Sequence, residues 1–183
     1  MKLDEVMHWK PFKPANGGES VDLSYANAHR VTYVHNEPGK DPITYEFYVT
    51  YSCHVFAKDY PELTEQERAD LIYHAPKESR PFCYRRHVLA RQYLRAIIEN
   101  LGAEGSIVQH AGHGGYATAE VVTEDNKKLY YFVPFKVFKE RKKLRLHVVS
   151  AYPLTDRPNG KRVKFFTIAW NLLRNRPMPR PPR

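Results

Sequence analysis

Cysteine is scarce, with only Cys53 and Cys83 in 183 residues. Two cysteines cannot supply the disulfide framework of a secreted fold, and they read as reduced, buried thiols in a reducing compartment. Long apolar runs are missing as well. No stretch approaches the roughly 18 consecutive apolar residues of a membrane span, and Met1 to Lys10 lacks the apolar core of a signal peptide. A cytosolic protein with no membrane partner is the expectation. The common catalytic motifs are also missing: no P-loop, no dinucleotide-binding glycine pattern, no nucleophile elbow and no HExxH. Gly112-His113-Gly114-Gly115 has glycines without the lysine and following helix of a phosphate cradle. It reads as a loop, and no cofactor is expected.

Negative charge is what the C-terminal third lacks. Residues 127–183 hold 16 Lys and Arg against Glu140 and Asp156, a charge of +14, whereas residues 1–126 carry −5. A field concentrated in this way points to a polyanionic partner, RNA first among them. Aromatic residues are plentiful, 13 Tyr and 9 Phe, which is more apolar burial than a disordered chain carries.

Residues 1–41 hold Pro11, Pro14, Gly17, Gly18, Pro38 and Gly39 and read as an irregular arm with one strand at His29 to His35. From Ile43 to Phe56 apolar and polar residues alternate, which predicts a long strand with Cys53 and His54 on opposite faces. Thr64 and Glu67 form a capping box before a helix over Glu65 to Tyr73, and a second helix runs from Tyr84 to Leu101, ended by Gly102 in a left-handed conformation. After it, Tyr116–Thr123, Leu129–Lys139, Lys143–Tyr152 and Lys161–Trp170 read as strands joined by turns, with Pro134 marking a bulge or an edge. The expected fold is α+β: an N-terminal extended arm and strand, two helices, then a C-terminal antiparallel β meander of about four strands. One domain spans 42–173, and 174–183 is a basic Pro/Arg-rich tail.

The chemistry is expected on the last hairpin. Lys143, Arg145 and His147 alternate on one strand face, Ser150 and Tyr152 follow where a bulge would bring them round, and Lys161, Arg162 and Lys164 start the next strand. Cations around one imidazole suit a phosphodiester, with the cations holding the phosphate and His147 moving a proton. RNA carries its own nucleophile, the 2′-hydroxyl. Arg85, Arg86 and His87 at the start of the second helix, and His54, would line the same cleft. Tyr84, Tyr130 and Tyr131 are candidates to stack on bases. Cys53, His54, Cys83 and His87 lack the paired spacing of a zinc site, and no metal is expected.

Tyr51-Ser-Cys-His-Val-Phe, Arg80-Pro-Phe-Cys, Leu144 to Tyr152 and Lys164-Phe-Phe-Thr-Ile resemble a bacterial and prophage-associated family whose members are sometimes labelled stationary-phase growth adaptation proteins. The layout, with Ser-Ala-Tyr after a basic strand, is also similar to the ribonuclease superfamily that joins barnase, EndoU, the RNase colicins and RelE-type toxins. That resemblance implies a metal-independent toxin-type endoribonuclease acting by 2′-hydroxyl attack and restrained by an acidic antitoxin or immunity protein. It implies His147, Arg145, Ser150, Tyr152 and Lys164 as catalytic residues. The rival readings are a noncatalytic nucleic-acid-binding regulator and an interaction module whose tail docks on an acidic partner.

Overall fold

A computed structural model describes residues 6–112 and 114–180. The strands, in chain order, are β1 (His29–His35), β2 (Ile43–Tyr51), β3 (Ile72–His74), β4 (Ser79–Pro81), β5 (Val108–His110), β6 (Tyr116–Glu124), β7 (Lys127–Glu140), β8 (Lys143–Val148), β9 (Tyr152–Leu154) and β10 (Arg162–Val163). The helices are α1 (Glu65–Asp70), α2 (Tyr84–Leu89), α3 (Arg95–Glu99) and α4 (Phe165–Leu173), with a π-helical turn, Ala90–Leu94, joining α2 to α3.

The architecture corrects the expected α+β fold with a four-stranded meander. Eight strands form one mixed sheet in the order β1-β2-β8-β7-β6-β5-β10, with β9 also on β7, while β3 and β4 make a separate hairpin. The decisive pairing is β2 with β8, which is parallel and sets Phe47 opposite Leu144, Val49 opposite Leu146 and Tyr51 opposite Val148. It welds the N-terminal strands to the C-terminal ones. Alternation in a sequence tells which face a residue takes and says nothing of which strand lies beside it.

A second correction concerns residues 161–170, expected as a strand. Only Arg162–Val163 pair, and Phe165–Leu173 is helical, burying Phe165, Ile168, Ala169 and Leu172. Those four recur at i, i+3, i+4 and i+7, the stripe of an amphipathic helix. Phe165 packs edge-on against Tyr33 at 4.6 Å, and the Tyr33 hydroxyl donates to the Ile98 carbonyl, so α3 and α4 share the face of the sheet that carries Tyr33 and Phe47. Gly102 does not take the expected left-handed conformation; it is absent from the positive-φ residues. Its role is close approach, since a Cβ there would stand 2.9 Å from the Phe166 ring.

The N-terminal segment is part of the core rather than an appendage. β1 is a full edge strand on β2, and Trp9, Phe12, Leu23 and Ala26 are buried. Helix α1 carries the capping box read from Thr64 and Glu67. Two hairpins turn on residues with positive φ, Asp125-Asn126 and Arg141-Lys142, as two-residue loops of type I′ require. The tail is docked: Arg174 and Arg176 lie over the Trp170 ring, and the Pro177 and Pro179 carbonyls accept from Asn171 and Tyr116. Residues 181–183 lie outside the described residues. No helix among the described residues is long and apolar enough to cross a membrane.

Candidate functional site

Pro134 explains how the site opens. Its carbonyl accepts from Val149 N at 2.9 Å, on the side of β7 that β8 and β9 occupy. A residue's N–H and C=O point to the same side of a strand. The N–H that proline lacks is therefore missing from the same edge, and the ladder breaks there. β8 pairs with β7 from Glu140 to Phe135, β9 pairs from Phe132 to Tyr130, and Val149 to Ala151 bulge between them. This is the bulge expected before Ser150 and Tyr152.

β2 ends at the same level. The expected strand to Phe56 stops at Tyr51, and Cys53–Val55 form a 3₁₀ turn whose His54 N–H donates to the Ser52 hydroxyl. The chain then runs beside β4, with Lys58 N donating to Pro81 O and Cys83 N to Phe56 O, both at 2.9 Å. An aromatic cluster supports this crossing: Phe12 stacks on Phe82 at 4.2 Å and Trp9 meets Phe56 at 5.1 Å.

Between the turn, α2 and β9 lies a cavity of about 560 Å³ lined by His54, Ala57, Lys58, Tyr60, Arg80, Arg85, Arg86, Ser150, Tyr152 and Pro153. Arg86 is its centre. The residue is only 8% exposed, and its Nη1 donates to the His54 carbonyl at 2.6 Å and to Ser150 Oγ at 3.2 Å. The guanidinium sits 5.3 Å over the Tyr152 ring. Its Nε is buried without a hydrogen-bond partner, and no carboxylate among the described residues pairs with it. The neighbouring arginines are matched by contrast: Arg85 grips Glu124 through Nε at 2.9 Å and Nη2 at 2.6 Å, and Arg80 donates to Glu78.

Glu78 organises the opposite wall. Its Oε1 takes the His54 Nε2 hydrogen bond at 2.7 Å and a longer one from Cys53 Sγ at 3.7 Å. Burial acts to raise the Glu78 pKa, but Arg80 and His54 prevail and hold it below the usual carboxylate value. Burial and the same carboxylate push the Cys53 thiol up to about 12. Burial, with Cys83 adjacent, raises the Tyr60 phenol.

The structure divides the expected residues among several places. His54, Arg85, Arg86, Ser150 and Tyr152 meet in the cavity. His147 does not line it: it is 3% exposed, its Nδ1 bonded to Thr50 Oγ1 at 2.9 Å across the β2–β8 pair. Lys143 and Arg145 lie over the Tyr48 ring at 4.8 and 5.7 Å, together with Arg30 at 4.8 Å. Lys164 is the residue before α4 rather than part of a strand. Lys161 and Arg162 stand at the far end of the sheet, where the Lys161 carbonyl accepts from His110 and Arg162 pairs with Gln109. His87 turns away, with Nδ1 3.2 Å from the Tyr25 hydroxyl, and burial holds its pKa below the usual histidine value. Of the four side chains weighed for zinc, Cys53 and His54 come together, with Glu78 as the third. Cys83 instead faces the Tyr60 hydroxyl, and His113 lies outside the described residues.

Lys58, Tyr60, Glu78 and Arg80 were not among the expected site residues. They come from the aperiodic stretch between β2 and α2, and the only local signal was the Arg80-Pro-Phe-Cys segment itself.

A family model, the YjaZ family, matches residues 11–173. The chain belongs to the YjaZ family. It is similar to Protein YjaZ of Escherichia coli (strain K12), 52% identical over 177 residues, which is 97% of each chain. The match reaches through the N-terminal segment that supports the cavity. Neither finding carries a ribonuclease or growth-adaptation name. No solved structure matches.

Proposed function

We propose that the protein binds RNA and that the Arg86 cavity seats a backbone phosphate. The observation that carries this reading is a buried guanidinium without a carboxylate, its Nε unpartnered, in the wall of a solvent-open cavity. A buried cation is costly unless paired. Arg80, Arg85, Lys58 and Arg86 against Glu78 and Glu124 leave the cavity with two positive charges in excess, which suits a phosphodiester. Tyr60 and Tyr152 offer aromatic surface beside it for an unpaired base.

The His54–Glu78 bond favours an extension of this reading, the metal-independent endoribonuclease. An imidazole held by the carboxylate through Nε2 takes the 2′-hydroxyl proton on Nδ1. The 2′-oxygen bonds to phosphorus, the bond to the 5′-oxygen breaks to leave a 2′,3′-cyclic phosphate, and the departing oxygen takes a proton from water. Arg86 stabilises the charge that grows on the phosphoryl oxygens. His54 then replaces His147 in that role.

Labelled single-stranded RNA in EDTA tests both statements. Arg86→Met is expected to weaken binding at least tenfold. The variant also loses the hydrogen bonds to His54 O and Ser150 Oγ, so circular dichroism accompanies it and Arg86→Lys, which keeps the charge, is measured beside it. Binding unchanged in Arg86→Met overturns the phosphate seat. Cleavage in EDTA that His54→Ala abolishes while binding persists supports the endoribonuclease; binding without cleavage of any RNA leaves a noncatalytic RNA-binding protein.

A further inference from the structure

The Glu78 carboxylate gathers more than one donor. Cys53 Sγ, His54 Nε2 and a Glu78 oxygen all lie within 4.8 Å of one another. Thiolate, imidazole and carboxylate are the ligand types of zinc, and the sulfur disfavours magnesium and calcium. Tetrahedral angles at ordinary zinc bond lengths set sulfur and oxygen about 3.6 Å apart and nitrogen and oxygen about 3.3 Å apart. The Sγ–Oε1 separation is already 3.7 Å. The Nε2–Oε1 separation of 2.7 Å has to open by about 0.6 Å, within reach of a partly exposed side chain rotating.

We propose that zinc(II) binds at Cys53, His54 and Glu78, beside the cavity that His54 lines. In the metal-free protein, protons on Nε2 and Sγ bridge to Oε1 where the cation would sit. Arg80 holds the other carboxylate oxygen, Oε2, which aims Oε1 at the ligand set and supplies an outer-shell partner. Zinc loading releases the thiol proton to solvent, and the thiolate and carboxylate together balance the dication. The loaded site is neutral where the unloaded one carries the Glu78 charge, so loading adds one positive charge beside Lys58, Arg80 and Arg86. Alternation along β2 hid this cluster, because it set Cys53 and His54 on opposite faces; the 3₁₀ turn after Tyr51 turns both toward Glu78.

The proposal goes beyond RNA binding and is tested without RNA. Metal-stripped, chelator-free protein is titrated with Co(II), read by the thiolate-to-metal charge-transfer absorption, and then displaced with Zn(II). One equivalent of tetrahedral Co(II) with that absorption is expected. Cys53→Ser should abolish the absorption, and Glu78→Gln should weaken affinity at least tenfold. Absence of the absorption, or affinity unchanged in Glu78→Gln, overturns the site. Cys53 is buried, so circular dichroism accompanies its variant. If that variant does not fold, the partly exposed Glu78→Gln decides the matter alone. Arg86→Met should keep wild-type metal affinity, which makes failure of the zinc site readable apart from failure of the phosphate seat. With zinc on Nε2 the neutral imidazole carries its proton on Nδ1 and has no lone pair left to take another, so zinc should suppress any cleavage that depends on His54.

Discussion

Three histidines of similar chemical type have different fates, and burial decides each. His54 stands at a cavity wall with a carboxylate, His147 is sealed between strands against Thr50, and His87 is packed on Tyr25 and Phe82. Burial first, then Arg91, holds the His87 pKa below its ordinary 6.5, and burial with Arg95 does the same for His29. The unfolded chain therefore takes up protons that the folded one refuses. Their contribution to stability is complete above about pH 6.5 and is lost as pH falls through the depressed folded values. Urea unfolding at pH 7.5 and pH 5.5 should show lower stability in acid. His87→Gln, which does not titrate, should show a smaller drop; an equal drop would mean that His87 takes no part in it.

At the scale of elements, the strands β1, β2, β6, β7 and β8 and the helices α1, α2 and α3 were legible, because alternation, caps and helical spacing are local. α4 was misread, since Val163 to Leu173 is apolar densely enough to satisfy a period of two as well as 3.6. The 165, 168, 169, 172 stripe was nevertheless there to be counted. The two β hairpins differ in how well their turns suit them. Asp125-Asn126 fits a left-handed loop, whereas Arg141 and Lys142 hold φ of 47° and 67° with side chains that disfavour it. Replacing Arg141-Lys142 by Asn-Gly should stabilise the protein by about 1 kcal/mol, seen as a higher urea midpoint at unchanged slope. A lower midpoint would show that these two side chains make contacts that outweigh the strain.

At the scale of the whole molecule, the sequence located the charge correctly but not the cavity. The +14 of the last 57 residues is dispersed: Lys143 and Arg145 around Tyr48, Arg162 on the far edge strand, Arg174 and Arg176 on Trp170. The cavity's four cations all come from the part of the chain that is acidic overall. Their convergence depends on the parallel β2–β8 pair, a contact across about half the chain, and on the break at Pro134, which is local to β7, β8 and β9. Half of the site was still readable, in Arg85, Arg86, His54, Ser150 and Tyr152, because a helix start and a bulge were recognisable locally and alternation set His54 on a polar face, although the strand end that places it was not read.

The salt dependence of RNA affinity tests the phosphate seat most directly. Each phosphate neutralised on a single strand contributes about −0.7 to the slope of log affinity against log salt. Lys58 and Arg86, the two cations in excess, together predict a slope of about −1.4 for the wild type. Arg86→Met should make it shallower by about 0.7 and weaken binding at every salt concentration. Affinity and slope both unchanged in Arg86→Met would contradict the assignment of this cavity to RNA.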